Sequence, residues 1–342
     1  AFMARSWFGR TIVADVELLL PTPESSPPAA ARYGRRMAAE LRALGWRVTL
    51  HDLDGAWPAP AAPDRRRALE TLAALPHAAR VVADGAVLAG VADGLRERAA
   101  QCTLIGVFHR AEHATDAVLA ELDRIVTVNG HVAERLVAAG ADRDRIAVRP
   151  PGVDPAPLGD GSGGPGVRLL TTAPLTPEGG HDVLLHALAG LGSRPWALDI
   201  AAPATDTRHA GAMRRLCTRL QLDDRVRLHE QAMPESCWHN ADLFAHPARD
   251  DPDGDAVVEA AAHGLPAIVA ANAVAADRLP EGAGLLVEPA DIGALHAGLA
   301  RVLDDGELFA RLASGARAAR GRLLTWPEAA AGLAEDLTHV GS

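Results

Sequence analysis

The groups of this chain that could do chemistry gather in one stretch, Asp242–Pro266, DLFAHPARDDPDGDAVVEAAAHGLP. It reads as a buried strand, an acidic loop, a helix with a carboxylate of its own at Glu259, and a Gly-Leu-Pro stop. Beyond the carboxyl end of a parallel strand, a carboxylate can hold ribose hydroxyls and a helix N-terminus can hold phosphate. The layout therefore suits a sugar nucleotide. Glu259 has a second reading, as a solvated glutamate that stabilises the start of its helix through the dipole. Asp251, Asp253 and Asp255 alternate as in a calcium loop, but the glycine comes at the fourth position rather than the sixth and no Glu stands at the twelfth. The acidic run reads instead as a solvated loop. Elsewhere, His109 closes the apolar run LIGVFH, with His113 close behind. A strand-end imidazole of this kind can touch a ligand or simply hydrogen-bond the backbone. No glycine-rich phosphate loop, nucleophile elbow or zinc spacing is present.

These residues need a scaffold, and the pattern around them supplies one. Short apolar runs alternate with helical segments, which argues for βα units and parallel sheets. In the first half, strands are expected near Ile12–Leu20, Arg47–His51, Arg80–Ala83, Leu104–His109, Ile125–Val128 and Ile146–Arg149. Helical patterns are clearest over Arg32–Leu44, Ala117–Asp123 and His131–Ala139. The segment Pro155–Gly166, PAPLGDGSGGPG, is mostly glycine and proline and reads as a linker. The alternation then restarts, with strands expected near Val167–Thr172, Ala197–Ala201, Arg225–His229, Leu243–His246, Ala267–Ala270 and Gly284–Val287. Ile292–Val340 reads as almost wholly helical. The expected domains are 11–154, 167–322 after the linker at 155–166, and a final helix over 323–342 packing back on the first domain. Two doubly wound halves of this kind would face each other across a cleft, with ligands beyond the carboxyl ends of the strands.

Composition narrows the class. A chain of 342 residues fits two α/β domains, and 48% hydrophobic residues can fill their cores. Aromatics are only 4% and all 34 basic residues are arginine, a pattern of coding bias rather than of function. A net charge of −10 with no basic stripe argues against nucleic acid as a partner. Cys102, Cys217 and Cys237 make neither a disulfide framework nor a CxxC metal site, so they are expected as buried reduced thiols in a cytoplasmic protein. No apolar run could span a bilayer. Ala1–Arg10 reads as a loose start, and TIVADVELLL carries Asp15 and Glu17 where a signal peptide would be apolar.

Five pieces in order give the chain a family likeness: NGHVAERLVAAGADRDRIAVRPPGVDP (Asn129–Pro155), TTAPLTPEGGHDVLLHAL (Thr171–Leu188), ADLFAHPA (Ala241–Ala248), EAAAHGLPAIV (Glu259–Val269) and AGLLVEPADIGAL (Ala283–Leu295). Together they resemble a family 4, retaining glycosyltransferase of the GT-B fold, and the resemblance covers nearly the whole chain. It implies an α/β protein of two Rossmann-like domains facing across a cleft. It also implies a nucleotide-diphosphate sugar as donor substrate, a small-molecule or glycan acceptor, and no metal or other cofactor. Metal-dependent Asp-x-Asp donor sites belong to a different glycosyltransferase architecture.

Carried over residue by residue, the resemblance makes Glu259 the ribose ligand and Asp251 the first of two carboxylates, one methylene shorter than usual. Gly254 is kept. His109 matches the cleft histidine that contacts donor sugar or acceptor. The phosphates would rest on backbone amides at Asn272, Ala273 and Val274. Several positions depart from the family. Pro174 stands for an Arg, Gly179 for a Lys, Ala29-Ala30 for one Gly-Gly pair and Asn272-Ala273 for another. Where a glycine served positive φ or close approach to phosphate, alanine would strain or obstruct it. Losing both cations removes ~3–6 kcal/mol of diphosphate stabilisation at roughly 1.5–3 kcal/mol per charge-assisted hydrogen bond. That is on the order of 10²–10⁴ in rate or affinity unless another group compensates. Arg249, Arg278 and Arg149 are the candidates.

Helix Arg32–Leu44 carries Arg32, Arg35, Arg36 and Arg42, a pattern that family members acting on lipids use to touch membranes. Glu40 interrupts the basic face and no Trp or Phe anchors it, so an ordinary solvated face is expected. Two functions follow from the sequence. One is a metal-independent retaining glycosyltransferase. The other is a pseudo-glycosyltransferase that keeps the fold as a binding or scaffold protein.

Overall fold

The structure is a computed structural model that describes residues 14–201, 206–229, 236–251 and 253–340. Ala1–Arg10, the first residues of the expected strand at Ile12, and Pro252 lie outside the described residues. The chain divides into two units, one running to Pro151 and resuming at Trp326, the other spanning Gly152–Thr325.

The first unit holds strands β1 (Asp15–Pro21), β2 (Arg47–Leu53), β3 (Arg80–Asp84), β4 (Thr103–Phe108), β5 (Arg124–Thr127) and β6 (Ile146–Val148). They form one parallel sheet in the order β2-β1-β3-β4-β5-β6. The second unit holds β7 (Val167–Thr171), β8 (Trp196–Ala201), β9 (Val226–His229), β10 (Leu243–His246), β11 (Ala267–Ala270) and β12 (Gly284–Val287). These form a second parallel sheet, β12-β11-β10-β7-β8-β9. Each strand coincides with one of the expected runs within a few residues. Central strands such as β4, apolar after Thr103 in TLIGVF, and β11, AIVA, read as near-continuous apolar runs because helices cover both faces.

Helix starts are set by short polar side chains that take up otherwise orphaned N–H groups. Asn129 accepts from Val132, Asp206 from His209, Asp291 from Ala294 and Asp305 from Leu308. The end of the chain is helical as expected, in helices Ile292–Asp304, Gly306–Ala319 and Trp326–His339.

The last of these helices belongs to the first unit and is anchored by charge. The buried carboxylate of Asp336 accepts from Nε of Arg149 at 2.7 Å and from Arg124 at 3.1 Å. Trp326 is 1% exposed, under the guanidinium groups of Arg32 and Arg36. Arg35 pairs with Asp52, and Arg42 donates to the Val48 carbonyl. The arginines of helix Pro28–Ala43 are thus held by partners within this unit.

Pro155–Gly166 has no regular secondary structure, yet it is fixed to the second unit. The Asp242 carboxylate accepts from the amides of Ser162 and Arg168, and the carbonyls of His239 and His263 accept from Gly161 and Gly159. Among the described residues, no helix is long and apolar enough to cross a membrane.

Candidate functional site

In the second sheet, β7 and β10 lie side by side while the chain leaves them in opposite directions along the sheet. Such a switch point opens a crevice beyond the carboxyl ends of the strands. The turn after β7 and the loop after β10 form its two lips, and they carry Pro174, Gly179, Asp251 and Gly254.

The turn after β7 folds tightly on itself. The Pro174 carbonyl accepts from the amide of Thr176 at 2.7 Å, and a Cβ on Gly179 would overlap that same carbonyl oxygen. Gly180 has φ +70, and a Cβ there would overlap the carbonyl of Pro247. The two glycines let this turn lie directly against the loop after β10.

Arg249 fastens the contact. Its amide donates to the Glu178 carbonyl, and its guanidinium donates to Pro177 O and to Asp182 Oδ2, each at 2.7 Å. A cation therefore reaches the very turn that holds Pro174 and Gly179. Burial alone would raise the Asp182 carboxyl, but Arg249 holds it below the ordinary range. The Arg249 side chain remains one-third exposed.

Asp251 is turned toward the protein. Its Oδ2 lies 2.8 Å from Nε2 of the buried His246, and its Oδ1 accepts from the amides of Gly254 at 2.9 Å and Asp253 at 3.2 Å. Burial would raise this carboxyl, but His246 and the two amides outweigh it and hold the pKa low. Gly254 has φ +65, and a Cβ there would lie 2.6 Å from Cγ of Arg278. Arg278 is itself nearly buried, 3.8 Å from Asp255, and burial lowers its pKa against the pull of that carboxylate. Glu259 is half-buried on helix Asp255–Ala262, one turn from its start.

Asn272 sits beyond β11 and caps helix Ala273–Arg278, accepting from Ala275 at 2.9 Å. Its amide nitrogen donates to the Ala248 carbonyl, which ties this loop to the one after β10. Ala273 and Val274 supply the first two helical amides, positions whose N–H groups have no partner inside the helix. Asn272 has φ −66, and neither it nor Ala273, Ala29 or Ala30 is among the residues with positive φ. The strain expected from replacing glycine at these two pairs is therefore not present.

His109 and His113 belong to the first unit. His109 follows β4, edge-on to the Tyr33 ring at 5.3 Å, and lines a narrow apolar pocket with Leu18, Tyr33, Val82 and Asp84. Burial lowers the pKa of His113 although Asp84 pulls it the other way. Of the three arginines considered, Arg149 is committed to Asp336, Arg278 faces the acidic loop, and Arg249 reaches the β7 turn. The pairing of His246 with Asp251 closes the loop after β10 on the end of its own strand, while that of Asp182 with Arg249 joins this loop to the helix after the β7 turn. The sequence marks Asp251 as a candidate carboxylate, and the strand-end position of His246 is the one signal there for its partner.

Comparison with known proteins agrees with this architecture. Residues 166–319 match the family described as Glycosyl transferases group 1. D-inositol 3-phosphate glycosyltransferases from Xylanimonas cellulosilytica and Nocardia farcinica are each 31% identical, over 239 and 242 residues, or 64% of this chain. The matches cover 57% and 53% of those proteins, so the chain spans just over half the length of the curated relatives it matches. Among solved structures, a Rickettsia africae glycosyltransferase superposes with a TM-score of 0.79 at 15% identity, covering 96% of this chain and 99% of that one. The Anabaena HepE protein in complex with UDP-glucose gives 0.76 at 17% identity, covering 94% and 99%. The chain has the α/β GT-B fold of these proteins, built on two parallel six-stranded sheets.

Proposed function

We propose that this chain is a cytoplasmic, metal-independent glycosyltransferase that moves a sugar from a nucleotide-diphosphate donor to a small-molecule or glycan acceptor with retention. The bond from the anomeric carbon to the diphosphate oxygen breaks, the bond to the acceptor oxygen forms, and the acceptor's proton leaves with the diphosphate or to solvent. Glu259 accepts from the ribose hydroxyls. The amides of Ala273 and Val274 face the phosphates, that of Asn272 being taken by the Ala270 carbonyl at 2.7 Å, and Arg249 supplies the cation that Pro174 and Gly179 do not. His109 contacts donor sugar or acceptor. Asp251 and Gly254 set the loop after β10, which shapes the donor site.

The observation that carries this reading is the guanidinium of Arg249 held 2.7 Å from the Pro177 carbonyl, in the β7 turn. One charge-assisted hydrogen bond regained there is worth roughly 1.5–3 kcal/mol, about half of the deficit expected from the sequence. UDP-glucose, the ligand of the Anabaena neighbour, is the first donor to test, and inositol 3-phosphate, from the relatives' name, the first acceptor. Calorimetric titration with UDP and GDP tests the reading. Micromolar binding that disappears in Glu259→Ala supports it, and no binding at millimolar nucleotide overturns it.

The second reading, a pseudo-glycosyltransferase acting as a binding or scaffold protein, draws on the ion pair of Arg249 with Asp182, which already neutralises that cation. It requires sugar transfer to be absent even where nucleotide binds.

A further inference from the structure

The far side of the second sheet, two strands away from the switch point, holds a second cluster of reactive groups. Asp199 points from the middle of β8, His229 ends the edge strand β9, and Cys237 sits in the short helix Ser236–Asn240. One carboxylate oxygen, one imidazole nitrogen and the thiol sulfur all lie within 4.8 Å of one another. Asp199 is buried, with Oδ1 2.8 Å from Nε2 of His229 and Oδ2 2.8 Å from Nε of Arg168. Cys237 is a buried free cysteine, and the His229 side chain is one-quarter exposed.

We propose that Asp199, His229 and Cys237 bind a borderline divalent cation, with zinc as the type case. The three donors are those zinc selects, a thiolate, a neutral imidazole and a carboxylate. Tetrahedral coordination with bonds near 2.0–2.3 Å places ligand atoms about 3.3–3.8 Å apart. To reach that spacing His229 and Asp199 part by about half an ångström, and the Cys237 sulfur, within 4.8 Å of both, closes on the ion. Arg168 keeps its hold on Oδ2 and orients the carboxylate while Oδ1 turns to the metal, the usual outer partner of a metal-bound carboxylate. The partly exposed imidazole gives the ion a way in, and water completes the fourth position.

The proton balance is simple. The Cys237 thiol loses one proton to solvent as its sulfur binds. His229 stays neutral, with its proton on Nδ1 and its Nε2 lone pair on the metal. The charges of thiolate, carboxylate and Arg168 sum to −1, so the divalent ion leaves the cluster at +1 rather than adding to an existing excess. An Asp–His–Arg network accounts for three of the groups, and Cys237, which also packs against the apolar cluster of Ala201, Trp238 and Phe244, brings a soft donor within 4.8 Å of the other two. Bound metal would tie the edge strand β9 and the helix Ser236–Asn240 to β8. This inference does not depend on the glycosyltransferase reading.

The test uses the untagged full chain, stripped with chelator and dialysed, then titrated with zinc alone and separately with cobalt. One zinc per chain is expected, with a rise in Tm of about 5–10 °C at zinc 100-fold above its Kd. Cobalt should give a thiolate charge-transfer band. Cys237→Ala should abolish that band and weaken zinc binding about tenfold or more, and His229→Gln should weaken it similarly. Failure to take up zinc at 100-micromolar levels would overturn the proposal, a concentration on the order of 10⁴ times a typical structural-site Kd. So would zinc affinity unchanged in Cys237→Ala, or a cobalt spectrum lacking thiolate character. The cobalt spectrum of the unaltered chain decides the matter if either variant fails to fold.

Discussion

The carbonyl oxygen of Pro174 occupies the space into which a side chain at Gly179 would project. The backbone at one of the two positions where a cation was expected therefore excludes a side chain at the other. Adding a lysine at 179 requires the turn to open first. Gly179→Ala should destabilise the second unit by about 1–3 kcal/mol through overpacking. Gly179→Lys should cost at least as much and should not raise nucleotide affinity. Urea denaturation followed by tryptophan fluorescence measures the first, and calorimetry the second.

Arg249 is held by Asp182, so the two side chains should be coupled in nucleotide binding. Arg249→Ala should lower UDP affinity by about ten- to a hundredfold, the worth of one charge-assisted hydrogen bond. Asp182→Asn should do the opposite, because it releases the guanidinium toward phosphate. A double-mutant cycle measured by calorimetry should give a non-additive pair. If both single variants bind alike, the cation does not serve the nucleotide.

Stability of the second unit should fall on mild acidification because of His181. This side chain is fully buried at the start of helix His181–Ala189, and burial, helped by the nearby His209, lowers its pKa from 6.5 to about 4. Between those values the unfolded chain takes up a proton that the folded one refuses, so stability is present above pH 6.5 and drains away as the pH falls toward 4. The loss amounts to ~3 kcal/mol at 1.36 kcal/mol per pKa unit. Denaturant midpoints taken across this range should show the slope, and His181→Met should flatten it. Asp251 acts lower on the scale. Its depressed pKa contributes stability above the ordinary value of 3.8, lost only as pH falls through the folded value.

Asp336 faces two arginines from a nearly fully buried position, with 3% of its side chain exposed. Asp336→Ala leaves Arg124 and Arg149 facing each other without a counter-charge. The first unit should lose about 3–5 kcal/mol, the range for breaking a buried pair by removing one partner. Because both arginines keep some solvent contact, the lower end is expected. Protease susceptibility of the last helix provides the readout.

All twelve strands could be read from the sequence because the central ones, such as β10 and β11, are short apolar runs buried on both faces, and the edge strand β2 still alternates buried with exposed positions. The loops were less legible. Pro155–Gly166 has the composition of a free linker, but the Asp242 carboxylate and two carbonyls fix it, and no local pattern marks a residue eighty positions away as its anchor. Arg249 was visible as a candidate cation. Its reach to Pro177 was not, since that depends on Gly179 and Gly180 letting two loops meet. Asp199, His229 and Cys237 lack any motif spacing and converge because β8 and β9 pair side by side and helix Ser236–Asn240 brings the thiol to them. The reverse also holds for Ala29-Ala30 and Asn272-Ala273, where loss of glycine suggested strain and the backbone adopts ordinary negative φ.

The seat of the last helix in the first unit has a consequence for synthesis. Residues Gly152–Thr325 are contiguous and can fold as soon as they leave the ribosome. The first unit cannot finish then, because Trp326 and Asp336, which fill and neutralise one side of it, are translated only after the whole of the second unit. Domains usually mature in the order they are made. Here the unit begun first is completed second, and until then its Arg32, Arg36, Arg124 and Arg149 wait without the ring and carboxylate that receive them.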